Sequence, residues 1–314
     1  MKNLVLGIDI GGTNTVFGLV DKSGHIVYKE EISTFGQEPV INLLNRLKEK
    51  IDVFLKINSD LDLIGIGVGA PNGNYYTGVI QDPPNMSWGD VNIVSMLTEK
   101  FACHVKLTND ANAAALGEKK YGRAKNMNDF VTITLGTGLG SGIFTGGVVL
   151  YGHDSTAGEL GHLSIDQNGR DCNCGLKGCL EMYVSANGIK QTVLNFQNKY
   201  PDDLFLSSLD PNYIDGKLID MAVDSGTESA KRIYEYTGEK LGFGLAQAAS
   251  ILCPEAYIFY GGFSQAGERL LRPTRIAFEK YLMHNLRGNI EIIQSGLPQG
   301  QAGILGAASI IDNF

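Results

Sequence analysis

The hydrophobic positions of this chain alternate between strand and helix periods. Residues 3–9 form an apolar run that ends at Asp9, and residues 26–32 alternate apolar with polar side chains, as a half-buried strand does. Leucine and isoleucine recur at helical spacing between residues 38 and 57. The pattern therefore predicts an α/β protein. The predicted strands span 3–9, 15–20, 26–32, 63–69, 104–108, 130–135, 141–144, 256–260 and 290–294, and the predicted helices span 38–57, 91–101, 110–121, 185–200, 215–223, 227–252, 268–284 and 301–312.

Two glycine-rich turns connect strand to strand. Gly11 and Gly12 follow the first strand, and the segment 136–140 (Gly-Thr-Gly-Leu-Gly) separates the two strands after residue 130. Rossmann and Walker-type phosphate loops lead into a helix, so these turns fit neither motif. Each could be a plain tight hairpin. Because there are two, each with a threonine, we expect their amides and the hydroxyl of Thr13 to hold one polyphosphate between two halves.

Asn109 and Asp110 lie between a short strand and the helix that follows it. Asp is a favourable N-cap residue, so simple capping is one interpretation of Asp110. The carboxyl end of a sheet strand is also where doubly wound folds bind their ligands. The position alone leaves both interpretations open.

A metal site is predicted between Glu159 and Glu181. Cys172, Cys174 and Cys179 lie within eight residues, and His162 precedes them by ten. Three thiolates and one imidazole complete the tetrahedral shell of a structural zinc ion, with no ligand position left open for catalysis. Disulfides, buried thiols and an ordinary core histidine are the alternatives. The amino-terminal segment does not resemble a signal peptide, which argues against disulfides.

Composition and charge narrow the functional classes. A chain of 314 residues, 43% of them hydrophobic, can bury sizeable cores in two domains. The net charge of −8 and the pI of about 5.2 argue against a nucleic-acid partner, since phosphate-binding surfaces are basic. No apolar run reaches the roughly 18 residues of a membrane span, so we expect no membrane insertion and a cytoplasmic protein.

Several segments, taken together and in their order along the chain, resemble the ROK family of sugar kinases, repressors and related proteins. The resemblance implies an actin-like, ribonuclease H-like ATPase fold of two α/β domains, with ATP and sugar between them. The domains expected are a small one, 1–118 plus 301–314, and a large one, 119–300, which carries the zinc loop. A homodimer is also implied. The matching segments are Asp9-Ile10-Gly11-Gly12-Thr13, Asn109-Asp110-Ala111-Asn112, Gly136-Thr137-Gly138-Leu139-Gly140, Glu159-Leu160-Gly161-His162, 172–181 and Gly261-Gly262.

The family likeness also implies roles for these residues. Asp110 would be the general base that accepts the proton of a sugar hydroxyl. Asp9, acting through Mg²⁺, would face the β- and γ-phosphates of ATP. The expected phosphate-binding residues are Gly11, Gly12, Thr13, Gly136, Thr137 and Gly138, with Gly261 and Gly262 under the adenosine. The expected sugar-binding residues are Asn72, Asn109, Asp110, Glu159, His162 and Glu181.

Alternatives to these roles and functions remain. His162 could serve the metal alone, and Glu159 and Glu181 could be surface charges or supports for the zinc ligands. The first functional hypothesis is an ATP-dependent hexokinase that acts on the 6-hydroxyl of glucose. The alternatives are an N-acylhexosamine (N-acetylmannosamine or N-acetylglucosamine), allose or fructose kinase, and a non-catalytic sugar-sensing regulator. The chain begins in a strand, so we expect no DNA-binding domain before it.

Overall fold

The computed structural model describes residues 2–210, 213–214 and 216–311. Within these residues the strands form two five-stranded sheets, the first in the order β3-β2-β1-β4-β5. β1, β2 and β3 are antiparallel, whereas β4 and β5 run parallel to β1. The first sheet and its helices are β1 (Lys2–Ile10), β2 (Asn14–Val20), β3 (Ile26–Ser33), α1 (Val40–Ile57), β4 (Leu61–Ala70), α2 (Ile93–Phe101), β5 (His104–Asn109) and α3 (Asp110–Lys120).

The second sheet repeats this arrangement of strands. Its order, β8-β7-β6-β9-β10, again places an antiparallel ribbon beside parallel strands. The prediction of an α/β protein is confirmed, with two sheets. Its elements are β6 (Phe130–Leu135), β7 (Leu139–Thr145), β8 (Val148–Val149), α4 (Glu181–Val184), α5 (Ala186–Lys199), α6 (Leu204–Ser208), α7 (Gly216–Asp224), α8 (Glu228–Leu252), β9 (Ala256–Tyr260), α9 (Glu268–Tyr281) and β10 (Glu291–Gln294).

The final helix, α10 (Ala302–Ser309), returns to the first sheet. It packs directly on the sheet backbone, because a Cβ at Gly7 would lie 2.1 Å from the carbonyl oxygen of Ile304, and one at Gly67 would lie 1.8 Å from that of Ala307. Within the described ranges the chain thus crosses between the sheets twice, at residues 121–129 and 295–301. The two crossings lie close to the predicted domain boundaries, which stay predictions.

Most predicted elements are present, with some differences at their ends. The second glycine turn is shorter than predicted, because Leu139 pairs with Leu135 and already belongs to β7. The helix predicted to reach His284 ends at Tyr281 and is followed by a 3₁₀ turn. Residues 215 and 312, at the ends of two predicted helices, lie outside the described residues. The short elements α4, α6 and β8 were not predicted.

Each sheet has its own hydrophobic core. Phe17 and Leu44 are buried in the core of the first sheet, and Tyr257 and Phe278 are buried in that of the second. No helix among the described residues is both long and apolar enough to cross a membrane.

Candidate active site

A cleft of about 520 Å³ lies between the two sheets and brings together most of the predicted site residues. Its lining comes from both sheets and from both glycine turns. Thr13 and His162 are absent from the lining formed by the described residues. The predicted residues that line it are Asp9, Gly11, Gly12, Asn72, Asn109, Asp110, Gly136, Thr137, Gly138, Glu159, Glu181, Gly261 and Gly262.

Asp110 is the first residue of α3 and lines this cleft. The N-cap is Asn109, whose side chain accepts a hydrogen bond of 2.8 Å from the backbone N–H of Ala111. One Asp110 carboxylate oxygen, Oδ1, accepts from the same N–H at 2.8 Å. The cap is therefore already supplied by Asn109. Solvent in the cleft reaches Asp110, yet the protein on both sides raises the pKa of its carboxyl by limiting hydration.

Asp9 is the penultimate residue of β1 and lies near Asp110, and Gly303 of α10 lies against its carboxylate. Burial raises the pKa of Asp9 to about 7, and the negative charge of Asp110 adds to the effect. Among the described residues no cation or hydrogen-bond donor pairs with this carboxylate. Oxygen ligands of this kind suit Mg²⁺, so the site fits the metal of a nucleotide phosphate.

The first glycine turn is supported by Thr34. The Thr34 hydroxyl donates a hydrogen bond of 2.7 Å to the carbonyl oxygen of Gly11, and the Thr34 N–H donates one of 2.7 Å to the carbonyl oxygen of Thr13. Thr13 itself is exposed and lies outside the cleft lining. Its hydroxyl is therefore less well placed for phosphate than the sequence predicts, since the turn directs its glycines into the cleft instead.

The second glycine turn is connected to the cysteine-rich segment through Glu181. The Leu139 N–H donates a hydrogen bond to Glu181 Oε2 at 3.4 Å, and a Cβ at Gly138 would lie 2.8 Å from the same oxygen. Just beyond, the Ala186 N–H donates to the Gly136 carbonyl oxygen at 3.0 Å. The segment that follows the last cysteine thus sets the position of the turn.

The three cysteines and His162 form one compact cluster, with all four ligand atoms within 4.8 Å of one another. Cys174 Sγ lies 3.6 Å from Cys179 Sγ, and His162 Nδ1 lies 3.6 Å from Cys172 Sγ. Tetrahedral zinc with normal bond lengths requires about 3.8 Å between sulfurs and about 3.6 Å between sulfur and nitrogen. These distances exclude disulfides, in which the sulfurs are about 2 Å apart, and they fit a zinc ion.

Glu159 and Glu181 extend from this region toward the cleft. Enclosure in the cleft raises the pKa of Glu159; His162 opposes the effect, and the carboxylates of Asp110 and Glu181 reinforce it. Glu181 Oε1 lies 3.6 Å from His162 Nδ1. The cleft therefore concentrates acceptor groups, as a ligand rich in hydroxyl donors requires.

Asn72 lines both the main cleft and a side cavity of about 260 Å³. Its amide nitrogen donates to the carbonyl oxygens of Gln81 and Asp82, at 3.0 and 3.2 Å. In the Asn72 side chain, only Oδ1 is left for a ligand. The side cavity also includes Ser155 and Thr156, which the sequence analysis did not identify.

Two loops of different sheets meet beside this cavity, in a contact that we call the tyrosine clasp (Tyr75, Tyr76 and Tyr151). The rings of Tyr75 and Tyr151 stack with centroids 4.0 Å apart and an interplanar angle of 9°. The Tyr75 N–H donates to Ser155 Oγ at 2.9 Å, and the Tyr76 hydroxyl donates to the carbonyl oxygen of Gly152 at 3.0 Å. The clasp therefore connects loops of the two sheets next to Ser155, which lines the side cavity.

Gly261 and Gly262 follow β9 and line the same cleft. Gly261 has a φ of +105°, and a Cβ there would lie 2.4 Å from the carbonyl oxygen of Leu135. Only glycine fits this left-handed, close approach without strain. The turn thereby leaves an open backbone surface at the end of the second sheet.

Several known proteins resemble this chain in sequence and in structure. The profile of the ROK family matches residues 5–313. A glucokinase of Thermotoga maritima is 35% identical over 99% of this chain and 98% of its own length. The crystal structure of a ROK family glucokinase from Streptomyces griseus, in complex with glucose and AMPPNP, has a TM-score of 0.81 at 30% identity and covers 99% of this chain and 100% of its own. A Listeria monocytogenes protein thought to be an N-acetylmannosamine kinase has a TM-score of 0.77 at 25% identity, covering 98% and 97%.

Proposed function

This chain belongs to the ROK family, and we propose that it is an ATP-dependent sugar kinase that phosphorylates glucose at the 6-hydroxyl. The similarity to glucokinases over the full length supports the substrate, and the glucose and AMPPNP complex of the Streptomyces griseus enzyme supports the nucleotide. The observation that carries the proposal is the position of Asp110. It lies in one cleft with both glycine turns and with the two glutamates of the cysteine-rich region.

The proposed reaction transfers the γ-phosphoryl group in line to the sugar oxygen. Asp110 accepts the proton of that hydroxyl as the bond to phosphorus forms, and ADP leaves. Phosphoryl transfer depends mainly on position and on charge neutralisation, so a carboxylate is a sufficient base. Enclosure raises the pKa of Asp110, which makes its carboxylate a stronger base. The backbone amides that bind the phosphates in this proposal are those of Gly12, Thr137 and Gly138, because the N–H groups of Gly11 and Gly136 already donate to the carbonyl oxygens of Asn14 and Gly138.

Sugar recognition is assigned to the acceptors around Asp110. Asn109 and Glu159 lie where the main cleft meets the side cavity. Since His162 directs Nδ1 toward the cysteines, its Nε2 is the atom that a sugar hydroxyl would contact. Buried acceptors that pair with hydroxyls give strong discrimination, because an analogue without the hydroxyl leaves them unpaired.

Two metals complete the proposal. Mg²⁺ would be held with the phosphates near Asp9, and it neutralises phosphate charge when bound. Zinc would be held by His162, Cys172, Cys174 and Cys179 and would stabilise the loop structurally. A homodimer remains a prediction, and sedimentation of the purified protein tests it.

A second candidate is an N-acylhexosamine kinase, which the likeness to the Listeria monocytogenes protein favours. The test is a coupled assay of ADP formation with glucose, mannose, fructose, allose, N-acetylglucosamine and N-acetylmannosamine, each with Mg²⁺ and ATP. We expect the highest kcat/KM with glucose. A higher value with an N-acyl sugar would favour the second candidate, and no turnover with any sugar would favour a non-catalytic regulator.

A further inference from the structure

Glu118 is a fully buried carboxylate that the reaction above does not use. Its residue is 0% exposed, near the carboxyl end of α3. Burial of a carboxylate is costly unless it is hydrogen-bonded, and the carboxyl end of a helix disfavours negative charge. An acid in this place therefore indicates a specific function for its hydrogen bonds.

The Glu118 carboxylate connects the two crossings between the sheets. Its Oε2 accepts a hydrogen bond of 2.8 Å from the backbone N–H of Arg123, in the outgoing crossing. Its Oε1 accepts a hydrogen bond from the hydroxyl of Ser295, in the returning crossing. One side chain thus bonds to both chain segments that join the two halves of the molecule.

The crossings are packed tightly around this carboxylate. A Cβ at Gly122 would lie 2.0 Å from Glu118 Oε2, and one at Gly296 would lie 2.9 Å from Arg123 Cγ. The Ser295 N–H donates to the carbonyl oxygen of Phe259 in β9 at 2.8 Å. This backbone bond holds Ser295 on the second sheet, while its hydroxyl donates to Glu118 of α3.

The helix that carries Glu118 also carries Asp110. The two residues are separated by about 12 Å along the axis of α3, at 1.5 Å per residue. α3 packs against α10 on the first sheet and against β7 on the second, where a Cβ at Gly142 would lie 2.5 Å from the Ala111 carbonyl oxygen. A rotation of the halves about the crossings would change how β7 and its glycine turn meet Asp110.

We propose that Glu118 is a positioning residue: by bonding both crossings it fixes the axis about which the two halves close on sugar and nucleotide. The proposal rests on the kinase function above. Glu118 does not contact substrate in this proposal. Among the described residues that line the cleft, Glu118 is absent. Its effect reaches the reaction through the relative placement of the two glycine turns.

The test uses Ser295→Ala, which leaves the carboxylate in place and removes the hydroxyl that donates to Glu118 and that also accepts a hydrogen bond of 3.0 Å from the Leu297 N–H. The matched control is Ser229→Ala, because Ser229 is also buried and its hydroxyl donates to a carboxylate, Asp203, at 3.1 Å within the second half. We expect Ser295→Ala to raise the glucose KM by about threefold to tenfold, the factor expected for loss of the hydrogen bond to Glu118. It should also reduce the glucose-induced decrease in the radius of gyration measured by X-ray scattering.

Glu118→Gln and Glu118→Ala separate positioning from folding. Glutamine can accept from the Arg123 N–H and donate to Ser295 Oγ, so it should restore most of the closure that alanine loses. If Ser295→Ala and Glu118→Ala lower Tm as Ser229→Ala does, with KM and closure unchanged, the proposal is overturned. Absence of turnover in the unaltered protein would instead refute the kinase function, so the two failures are distinguishable.

Discussion

Glu181 Oε2 accepts a hydrogen bond from the backbone N–H of Leu139, which joins the cysteine-rich loop to the second glycine turn. The other oxygen of Glu181 faces His162 Nδ1 at 3.6 Å. A single carboxylate therefore contacts both the proposed metal region and the proposed phosphate turn. From the sequence, Glu181 is expected to bind sugar, with a surface charge or a support for the zinc ligands as the alternatives. The structure adds its hydrogen bond to the glycine turn.

Glu181→Ala is expected to raise the KM for both glucose and ATP by about tenfold or more, because a hydrogen bond to a charged group is lost along with the support of the turn. Glu159→Ala is the comparison. Glu159 lies where the main cleft meets the side cavity, which is the proposed sugar site, and within the described residues no hydrogen bond joins its side chain to the turn. Its loss should therefore raise only the glucose KM. Steady-state kinetics with each substrate varied gives the answer. An unchanged ATP KM in Glu181→Ala would contradict the connection.

Cys174→Ser should release zinc and destabilise the protein, since metal binding contributes directly to folding. We expect the zinc content to fall from one per chain and Tm to fall by on the order of 5 °C. Cys253→Ser is the control, because Cys253 is exposed and lies outside the cluster. Elemental analysis and thermal unfolding measure both quantities. Purified protein without stoichiometric zinc would refute the metal assignment.

Asp9 makes the ligand-free protein less stable as pH rises. Its pKa is about 7 in the folded state, against an ordinary value of 3.8, so the folded state binds more protons between these values. Stability due to this group is therefore present below about pH 4 and is lost as pH rises through about 7. Asp9→Asn should raise Tm at pH 8 by at least about 2 °C.

The control for the Asp9 experiment is Asp62→Asn, an exposed position on the neighbouring strand β4. Thermal unfolding at pH 5 and pH 8, without nucleotide, compares the two variants. Equal pH dependence in Asp9→Asn and in the unaltered protein would show that this carboxyl does not titrate as described.

Local sequence patterns predicted the parts of the site whose geometry depends on near neighbours. The spacing of Cys172, Cys174 and Cys179 led to the cluster, and the strand-turn-strand pattern led to the turn at Gly11. The end of β5 located Asp110. In each case a few adjacent residues determine the local conformation, so the sequence alone was sufficient to predict that part of the site.

Contacts between distant segments could not be predicted in this way. Ser155 adopts a φ of +71° and bonds to Tyr75, which is eighty positions away. Glu118 and Ser295 are separated by 177 positions. No periodicity marks such pairs, because they form only when the two sheets have been placed against each other. The exposed position of Thr13 has the same origin, since Thr34 of another segment fixes the turn.

The tyrosine clasp should contribute to sugar affinity. Tyr151→Ala removes the stacking on Tyr75, and we expect the glucose KM to rise by about twofold to tenfold, the range for an aromatic pair. Tyr151→Phe keeps the ring and should stay near the unaltered value. Tyr200→Ala, which removes an edge-on contact with Phe196 away from the cleft, controls for general destabilisation. Equal KM values for all four proteins would exclude a role for the clasp.

The role of Asp110 is tested most directly by Asp110→Asn, which keeps the size of the side chain and removes the base. We predict that kcat falls by about 10²–10⁴, while the Kd for glucose, measured by calorimetry, changes by less than about tenfold because the other acceptors remain. Turnover that stays within about threefold of the unaltered protein would contradict the assignment of Asp110 as the general base.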